Sequence, residues 1–235
     1  MQATSAALSE TMAIQSNEGL TGPLDHQRTP MKPVFPVTLE GRYVRLEPLS
    51  APHRDALLAA ANEDRATYTF TGVPRDIEGA ERYIRAALDD AERGQACPFA
   101  TVDAGSGRVV GSTRFGSIER WTWPAPQPPR DGPDAVEIGW TWLARSAQRT
   151  AINTEAKLLM LTHAFEVWAV RRVTLKTDER NARSRGNIER VGGTLDGILR
   201  AHMPAFDGGV RNSAVYSLLA DEWPARKARL VARLG

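Results

Sequence analysis

The chain has 235 residues, a formal net charge of +2 and a charged content of 25%. A net charge so close to zero gives no support for binding to nucleic acid or to a membrane, and no apolar run is long enough to span a bilayer. Cys97 is the only cysteine, so an internal disulfide is excluded and a reducing, cytoplasmic location is expected.

Residues 1–36 differ in composition from the rest of the chain. Ser, Thr, Gln, Gly and Pro are scattered through them, and their apolar residues follow no regular period. We therefore expect a disordered or extended tail over residues 1–36 and one folded domain over residues 37–235. The alternative is a tail that folds onto the domain or onto a partner.

The first half of the domain alternates short strands with helices. Apolar alternation over residues 37–47 predicts two strands. Ser50 is a suitable N-cap for a first helix, and apolar residues recur at helical spacing over 76–93, which predicts a second helix. Alternation on both sides of the turn sequence AGSG, within residues 98–118, predicts an antiparallel hairpin.

The second half begins with a proline-rich loop over residues 121–133, where regular structure is excluded. The elements predicted after it are a strand at 135–143, a helix from Asn153 to about Trp168, a strand at 172–177, a helix from Asn181, a hairpin of 194–200 and 211–219, and a short helix at 224–234. This order allows a parallel pair of strands at the middle of an otherwise antiparallel sheet.

The rest of the chain is organised around residues 135–157. Apolar and aromatic residues alternate with polar ones through 135–143, a polar and basic loop follows over 144–152, and Asn153 opens an apolar helical run. A helix that starts over such a loop offers unpaired N–H groups and a positive dipole end to an anion. The expected ligand is therefore a phosphate group.

Several segments in order resemble the GNAT superfamily of acetyl-CoA-dependent N-acetyltransferases, and most of all the branch with the ribosomal-protein N-terminal alanine acetyltransferases. The segments are VEIGWTWL, SAQRTAINTEAKLLMLTHAFE, RVTLKTDERNARSRGNIERVGG and DGGVRNSAVYSLLADEW. The resemblance implies the α/β GNAT fold over residues 37–235, with a mixed central sheet of about seven strands, an antiparallel N-terminal part, a central parallel pair and flanking helices. It also implies acetyl-CoA as co-substrate. The scattered His residues and the single Cys show no metal-ligand spacing, so no metal is expected.

The family holds the pyrophosphate of coenzyme A in a loop of pattern Q/R-x-x-G-x-G/A. Gln148 matches the first position, whereas Ala151 replaces the first glycine and Asn153 stands at the last position. Ala151 adds a Cβ where backbone approaches phosphate, and Asn153 can cap the helix. The resemblance implies cofactor contacts from the end of the strand and from the loop, through Trp142, Leu143, Gln148, Arg149, Thr150, Ala151, Ile152, Asn153 and Thr154.

The resemblance also implies the catalytic residues. Glu137, on the strand before the loop, corresponds to the proposed base that takes a proton from the amine, although a single strand Glu is also commonly solvated or paired. Asn181 and Ser184 match an N-x-x-S/A element, in which Asn181 contacts the pantetheine arm and Ser184 donates to the departing thiolate. Asn181 can cap its own helix at the same time.

Three aromatic residues are candidates for acceptor binding. Trp121 and Trp123 precede the prolines and could form an acceptor pocket or a dimer contact. Tyr216 lies on the last predicted hairpin, where the family's acceptor cleft is walled.

The expected function is acetyl transfer from acetyl-CoA to a primary amine by direct attack in a ternary complex. The acceptor is a protein N-terminus or a small amine, with a homodimer allowed and neither nucleic acid nor membrane as a partner. Two alternatives stay open. One is a non-catalytic acyl-CoA-binding or regulatory protein, and the other is a detoxifying transferase for small molecules or antibiotics.

Overall fold

A computed structural model describes residues 36–125, 128 and 130–235. Its strands are Leu39–Glu40 (β1), Val44–Pro48 (β2), Cys97–Asp103 (β3), Val109–Glu119 (β4), Ala135–Leu143 (β5), Arg172–Asp178 (β6), Thr194–Pro204 (β7) and Val210–Leu219 (β8). Its α-helices are Arg54–Asn62 (α1), Ile77–Glu92 (α2), Ala151–Thr162 (α3), Ala182–Arg190 (α4) and Trp223–Leu234 (α5). Apart from residue 36, the predicted tail lies outside the described residues.

The strands form one sheet in the order β1-β2-β3-β4-β5-β6-β8-β7. Every neighbouring pair is antiparallel except β5 and β6, which are parallel. The predicted mixed sheet with a central parallel pair is therefore confirmed. It has eight strands among the described residues, where about seven were expected.

Helices cover both faces of the sheet, as two successive residues of β4 show. The guanidinium of Arg114 lies 3.3 Å from Asp90 of α2, while the hydroxyl of Thr113 accepts a hydrogen bond from Lys157 of α3 at 3.2 Å. Because successive side chains of a strand point to opposite faces, α2 and α3 lie on opposite faces. α1 packs against α2, and α5 packs against α3.

Glu155 of α3 fixes the N-terminal edge of the sheet. Its carboxylate accepts hydrogen bonds from the backbone N–H groups of Arg42, Tyr43 and Val44 at 2.9, 2.6 and 2.9 Å. A Cβ at Gly41 would lie 2.5 Å from this carboxylate, so the turn between β1 and β2 needs glycine there. The buried carboxylate thus joins α3 to the turn that begins the sheet.

We expect Glu155→Ala to lower the free energy of unfolding by about 3 kcal/mol, since it leaves backbone donors without their charged acceptor. Glu155→Gln should lower the free energy of unfolding by a smaller amount, because its amide keeps one oxygen that accepts hydrogen bonds. Urea unfolding measures both changes. The control is Glu78→Gln, whose side chain is 85% exposed and pairs with Arg82 at 3.4 Å, and whose effect should stay within about 0.5 kcal/mol. Equal stabilities of the control and Glu155→Ala would contradict this role.

Candidate active site

The sheet opens between its two parallel strands. β5 and β6 pair only where Ala135, Val136 and Glu137 face Arg172, Val173 and Thr174. Beyond these residues β5 continues to Leu143 and β6 continues to Asp178 without further pairing between them. The strands therefore enclose a cleft, and the edge of β5 that faces it has backbone groups available for a ligand.

A β-bulge lies in β5 along this cleft. Ser112 of β4 faces Trp142, but Arg114 faces Gly139, so β5 has one more residue than β4 between these pairs. Trp140, within the bulge, has a φ of 50°. Its side chain is 44% exposed, whereas Trp142 is buried and donates a hydrogen bond from its indole Nε1 to the hydroxyl of Tyr83 at 3.2 Å.

The mouth of the cleft leads to the start of α3, where the sequence-based prediction needs correction. The helix begins at Ala151, with Thr150 as N-cap, and not at Asn153. Thr150 has extended backbone, and its hydroxyl accepts the N–H of Ile152 at 3.3 Å. Asn153 therefore lies in the first turn of α3 and is not its cap. The left-handed φ of the loop, 63°, belongs to Arg149, so Ala151 has ordinary helical geometry.

The start of α3 is suited to an anion. The N–H groups of a first helical turn have no acceptor within the helix, and only that of Ile152 is taken by the Thr150 side chain among the described residues. Arg149 and Thr150 are exposed beside them. The positive end of the helix dipole adds to this attraction for phosphate.

Gln148 links the loop to two other parts of the cleft wall. Its Nε2 donates to the carbonyl oxygen of Leu143 at 2.9 Å and to the hydroxyl of Thr67 at 3.2 Å. Its Oε1 accepts from Arg183 of α4 at 3.1 Å. The Leu143 carbonyl also accepts from the hydroxyl of Tyr68 at 2.9 Å, so both of its lone pairs are used.

Glu137 lies at the closed end of the cleft, on the last paired residue of β5. One oxygen of its carboxylate, Oε2, accepts from the hydroxyl of Ser117 at 3.1 Å and pairs with Lys176 of β6 at 2.8 Å. No hydrogen bond from another described residue reaches the second oxygen, Oε1. Glu137 is therefore a paired and largely buried carboxylate with one oxygen available to a ligand.

Asn181 and Ser184 lie together at the start of α4, which follows β6. Asn181 is the N-cap, and its Oδ1 accepts the N–H of Ser184 at 3.0 Å. A cleft of about 240 Å³ lies beside Asn181, between the start of α4 and the segment 66–71. Glu137 thus lies on β5 at the closed end of the opening, and Ser184 lies on α4, the helix that follows β6.

The aromatic candidates occupy different environments. Trp121 and Trp123 are 38% and 37% exposed, and their ring centroids are 5.7 Å apart. The indole Nε1 of Trp121 donates to Glu119 at 2.9 Å. Tyr216 is fully buried, and its hydroxyl accepts from Arg185 at 3.0 Å and donates to Glu189 at 3.1 Å.

Comparison with known proteins agrees with this geometry. A family model for the acetyltransferase (GNAT) domain matches residues 44–194. The chain belongs to the GNAT acetyltransferase family. A structure of a GCN5-related N-acetyltransferase from Brucella melitensis is 33% identical, covers 86% of this chain and 87% of its own, and superposes with a TM-score of 0.73.

Two further relatives extend the comparison. YdaF of Bacillus subtilis (strain 168), a candidate ribosomal N-acetyltransferase, is 34% identical over 39% of this chain, a match that spans 49% of YdaF. The structure of Mycobacterium smegmatis RimJ in complex with CoA-disulfide is 22% identical, covers 85% of this chain and 95% of its own, and has a TM-score of 0.70, which supports the fold. This chain is thus an acyltransferase of the GNAT fold.

Two findings concern metal binding and membrane-spanning helices in this GNAT domain. Among residues 36–125, 128 and 130–235, no cluster of His, Cys, Asp and Glu side chains could hold a metal ion. None of the helices in that part of the chain is long and apolar enough to cross a membrane.

Lys157, on α3 of this GNAT domain, has a buried side chain. Its Nζ donates to the hydroxyls of Thr113 at 3.2 Å and Thr141 at 2.7 Å, directly beneath the bulge of β5. Burial lowers the pKa of Lys157 to about 7. The sequence contains one signal for the burial of Lys157, since the residues at i+3 and i+4 on the same helix face, Met160 and Leu161, are apolar. Both are fully buried.

We expect Lys157→Met to raise the free energy of unfolding most near neutral and lower pH. An unfolded lysine has a pKa of about 10.4, so between about pH 7 and 10 the unfolded chain binds a proton that folded Lys157 does not. The wild type therefore gains stability from this site as pH rises. Urea unfolding at a series of pH values should show the advantage of Lys157→Met narrowing toward pH 10. A difference independent of pH would contradict a buried amine at this site.

Proposed function

We propose that this GNAT domain transfers the acetyl group of acetyl-CoA to a primary amine, by direct attack in a ternary complex. The opening between β5 and β6 carries this proposal, because it joins a free strand edge, a carboxylate at its closed end and a helix start at its mouth. Each of these features suits one part of the reaction. The cytoplasmic location expected from the sequence, and the homodimer that the sequence allows, stay predictions.

The residues of the mouth fit the phosphates of coenzyme A. The N–H groups of Ala151 and Asn153 and the exposed Arg149 would bind the pyrophosphate. Relatives support this choice of ligand, since RimJ is described with CoA-disulfide. The carbonyl of Leu143 already accepts two hydrogen bonds. We therefore place pairing with the pantetheine arm on the backbone of β5 nearer the bulge.

The chemistry requires a neutral amine and a stabilised leaving thiolate. Oε1 of Glu137 would accept the proton of the amine, directly or through water, as its nitrogen attacks the thioester carbonyl. The tetrahedral intermediate then collapses, the carbon–sulfur bond breaks, and the hydroxyl of Ser184 would donate a hydrogen bond to the departing sulfur. Asn181 holds the start of α4 in place, because its Oδ1 accepts the backbone N–H of Ser184.

The experiment that tests the proposal combines binding with turnover. Calorimetry should detect coenzyme A binding to the folded protein, and thiol release from acetyl-CoA should depend on an added amine, either a peptide N-terminus or a small amine. Binding without amine-dependent thiol release would favour a non-catalytic acyl-CoA-binding protein. Absence of binding would overturn the proposal.

Glu137→Gln should lower kcat about 100-fold or more, because the amide cannot take a proton. The KM for acetyl-CoA should change little, since Glu137 lies away from the phosphate end of the cleft. Steady-state kinetics over a range of pH measure both values. Glu166→Gln, an exposed carboxylate that pairs with Lys227 at 2.7 Å, is the matched control. An unchanged pH–rate profile for Glu137→Gln would remove Glu137 from the role of base.

Ser184→Ala should lower kcat more than it raises the KM for acetyl-CoA, because the lost hydrogen bond matters most as the thiolate departs. Ser184→Thr keeps a hydroxyl and should recover part of the rate. Ser106→Ala, in the exposed turn between β3 and β4, is the control. A rise in KM alone would assign Ser184 to cofactor binding and not to the chemical step.

A further inference from the structure

A side-chain ion pair joins β5 and β6 just beyond their last backbone pairing. The ammonium of Lys176 on β6 lies 2.8 Å from Oε2 of Glu137 on β5. Glu137 pairs with Thr174 in the sheet, and Lys176 is two residues farther along β6, so the three side chains lie on one face. Lys176 therefore spans the opening at its closed end, where the hydrogen bonds between the two backbones have stopped.

The same carboxylate oxygen is also held from the other neighbouring strand. The hydroxyl of Ser117 on β4 donates to Oε2 of Glu137 at 3.1 Å. β5 lies between β4 and β6 in the sheet. The two donors thus approach Oε2 from the strands on either side of β5, and we call Lys176 and Ser117 together the Oε2 clamp.

The next carboxylate along β6 does not compete for Lys176. Asp178 lies two residues after Lys176 and on the same face of the sheet. Arg180 donates from Nε and Nη2 to the two oxygens of Asp178 at 2.9 and 2.7 Å, and its backbone N–H donates at 3.0 Å. A forked pair of this kind is among the strong charge-assisted contacts. Asp178 is therefore satisfied by Arg180, which leaves Lys176 to Glu137.

The Oε2 clamp decides which oxygen of Glu137 can act as the base. The last torsion of a glutamate side chain is broad, so a carboxylate without partners turns easily. Each carboxylate oxygen has two lone pairs, and those of Oε2 meet the ammonium and the hydroxyl. A proton from a ligand must then go to Oε1. Oε2 becomes the carbonyl-type oxygen of the protonated acid and still accepts both hydrogen bonds.

We propose that Lys176 is a positioning residue for acetyl transfer, whose ammonium holds Oε2 of Glu137 and thereby presents Oε1 to the acceptor amine. Lys176 acts through Glu137 and contacts neither the amine nor the acetyl group. The proposal rests on the acetyl transfer proposed above. A displacement of about 1 Å in a catalytic group can cost roughly 100-fold in rate, so the orientation of this carboxylate matters for turnover.

Steady-state kinetics of Lys176 variants provide the first test. Lys176→Met keeps most of the side-chain length without the ammonium, and it should lower kcat about 10- to 100-fold. The KM for acetyl-CoA should change little, because Lys176 contacts Glu137 at the closed end of the cleft, away from the phosphate end. Lys176→Arg keeps a charge and several donors and should recover part of the rate.

The matched control for this substitution is Lys227→Met. Lys227 on α5 also forms an ion pair with a glutamate, Glu166, at 2.7 Å, and its side chain is 38% exposed. Its kcat should equal that of the wild type. An unchanged kcat in Lys176→Met would overturn the proposal, and so would a rise in the KM for acetyl-CoA with kcat unchanged.

A double-mutant cycle shows whether Lys176 acts through Glu137. In the Glu137→Gln background the amide takes no proton, so the added change Lys176→Met should lower kcat by no more than about 2-fold. A loss in that background as large as in the wild type would overturn the proposal. Such a loss would mean that Lys176 contacts the reacting groups directly or supports the fold.

Crystal structures of the wild type and of Lys176→Met provide a test that needs no turnover. The Glu137 carboxylate should keep Oε2 on Lys176 and Ser117 in the wild type, and it should turn away from this orientation in the variant. A carboxylate that turns, in a protein without amine-dependent thiol release, would support the positioning by Lys176 and overturn the proposed reaction. Amine-dependent thiol release with an unchanged carboxylate in Lys176→Met would support the reaction and overturn this inference.

Discussion

The early separation of β5 from β6 is the constraint on which the candidate site depends. The two strands pair over Ala135–Glu137 only, yet neither strand loses its other neighbour. β5 stays paired with β4 as far as Leu143, and β6 stays paired with β8 as far as Asp178. Because each strand is held from outside, the opening persists without hydrogen bonds across it. Its closed end fixes Glu137, and its mouth faces the start of α3.

Two irregularities in β4 and β5 shape the part of the candidate site beside Glu137. Register shifts occur at two places along the β4–β5 ladder, one at Trp140 of β5 and one at Ser117 of β4, and both residues have a positive φ. Such a conformation costs about 1 kcal/mol or more for a residue with a side chain. Both strained residues have contacts toward the site, since Trp140 stacks on Arg114 and Ser117 donates to Glu137. These contacts therefore offset part of the strain beside the candidate site.

The sequence predicted the elements better than their interactions. Alternation and helical spacing located β5 and α2, and the order of elements indicated the parallel pair. The start of α3 was placed too late, because Asn153 and Thr150 are both good caps and only the backbone geometry decides between them. The role of Glu155 depends on Arg42, 113 positions away in the chain. The burial of Tyr216 likewise depends on α4, since local periodicity contains no information about long-range partners.

Two basic residues, Lys157 and Arg114, are buried near β5. Their chemistry explains why one is a lysine and the other an arginine. Lys157 contacts only hydroxyls through its Nζ within the described residues, and the burial that lowers its pKa to about 7 lets it become neutral by losing a proton. A guanidinium cannot become neutral in this way, because it stays protonated in proteins. Arg114 must therefore be accommodated as a charge, by Asp90 and by the rings of Trp140 and Tyr83. Lysine thus suits the closed core under the bulge, whereas arginine suits a position where a carboxylate and two aromatic rings surround its charge.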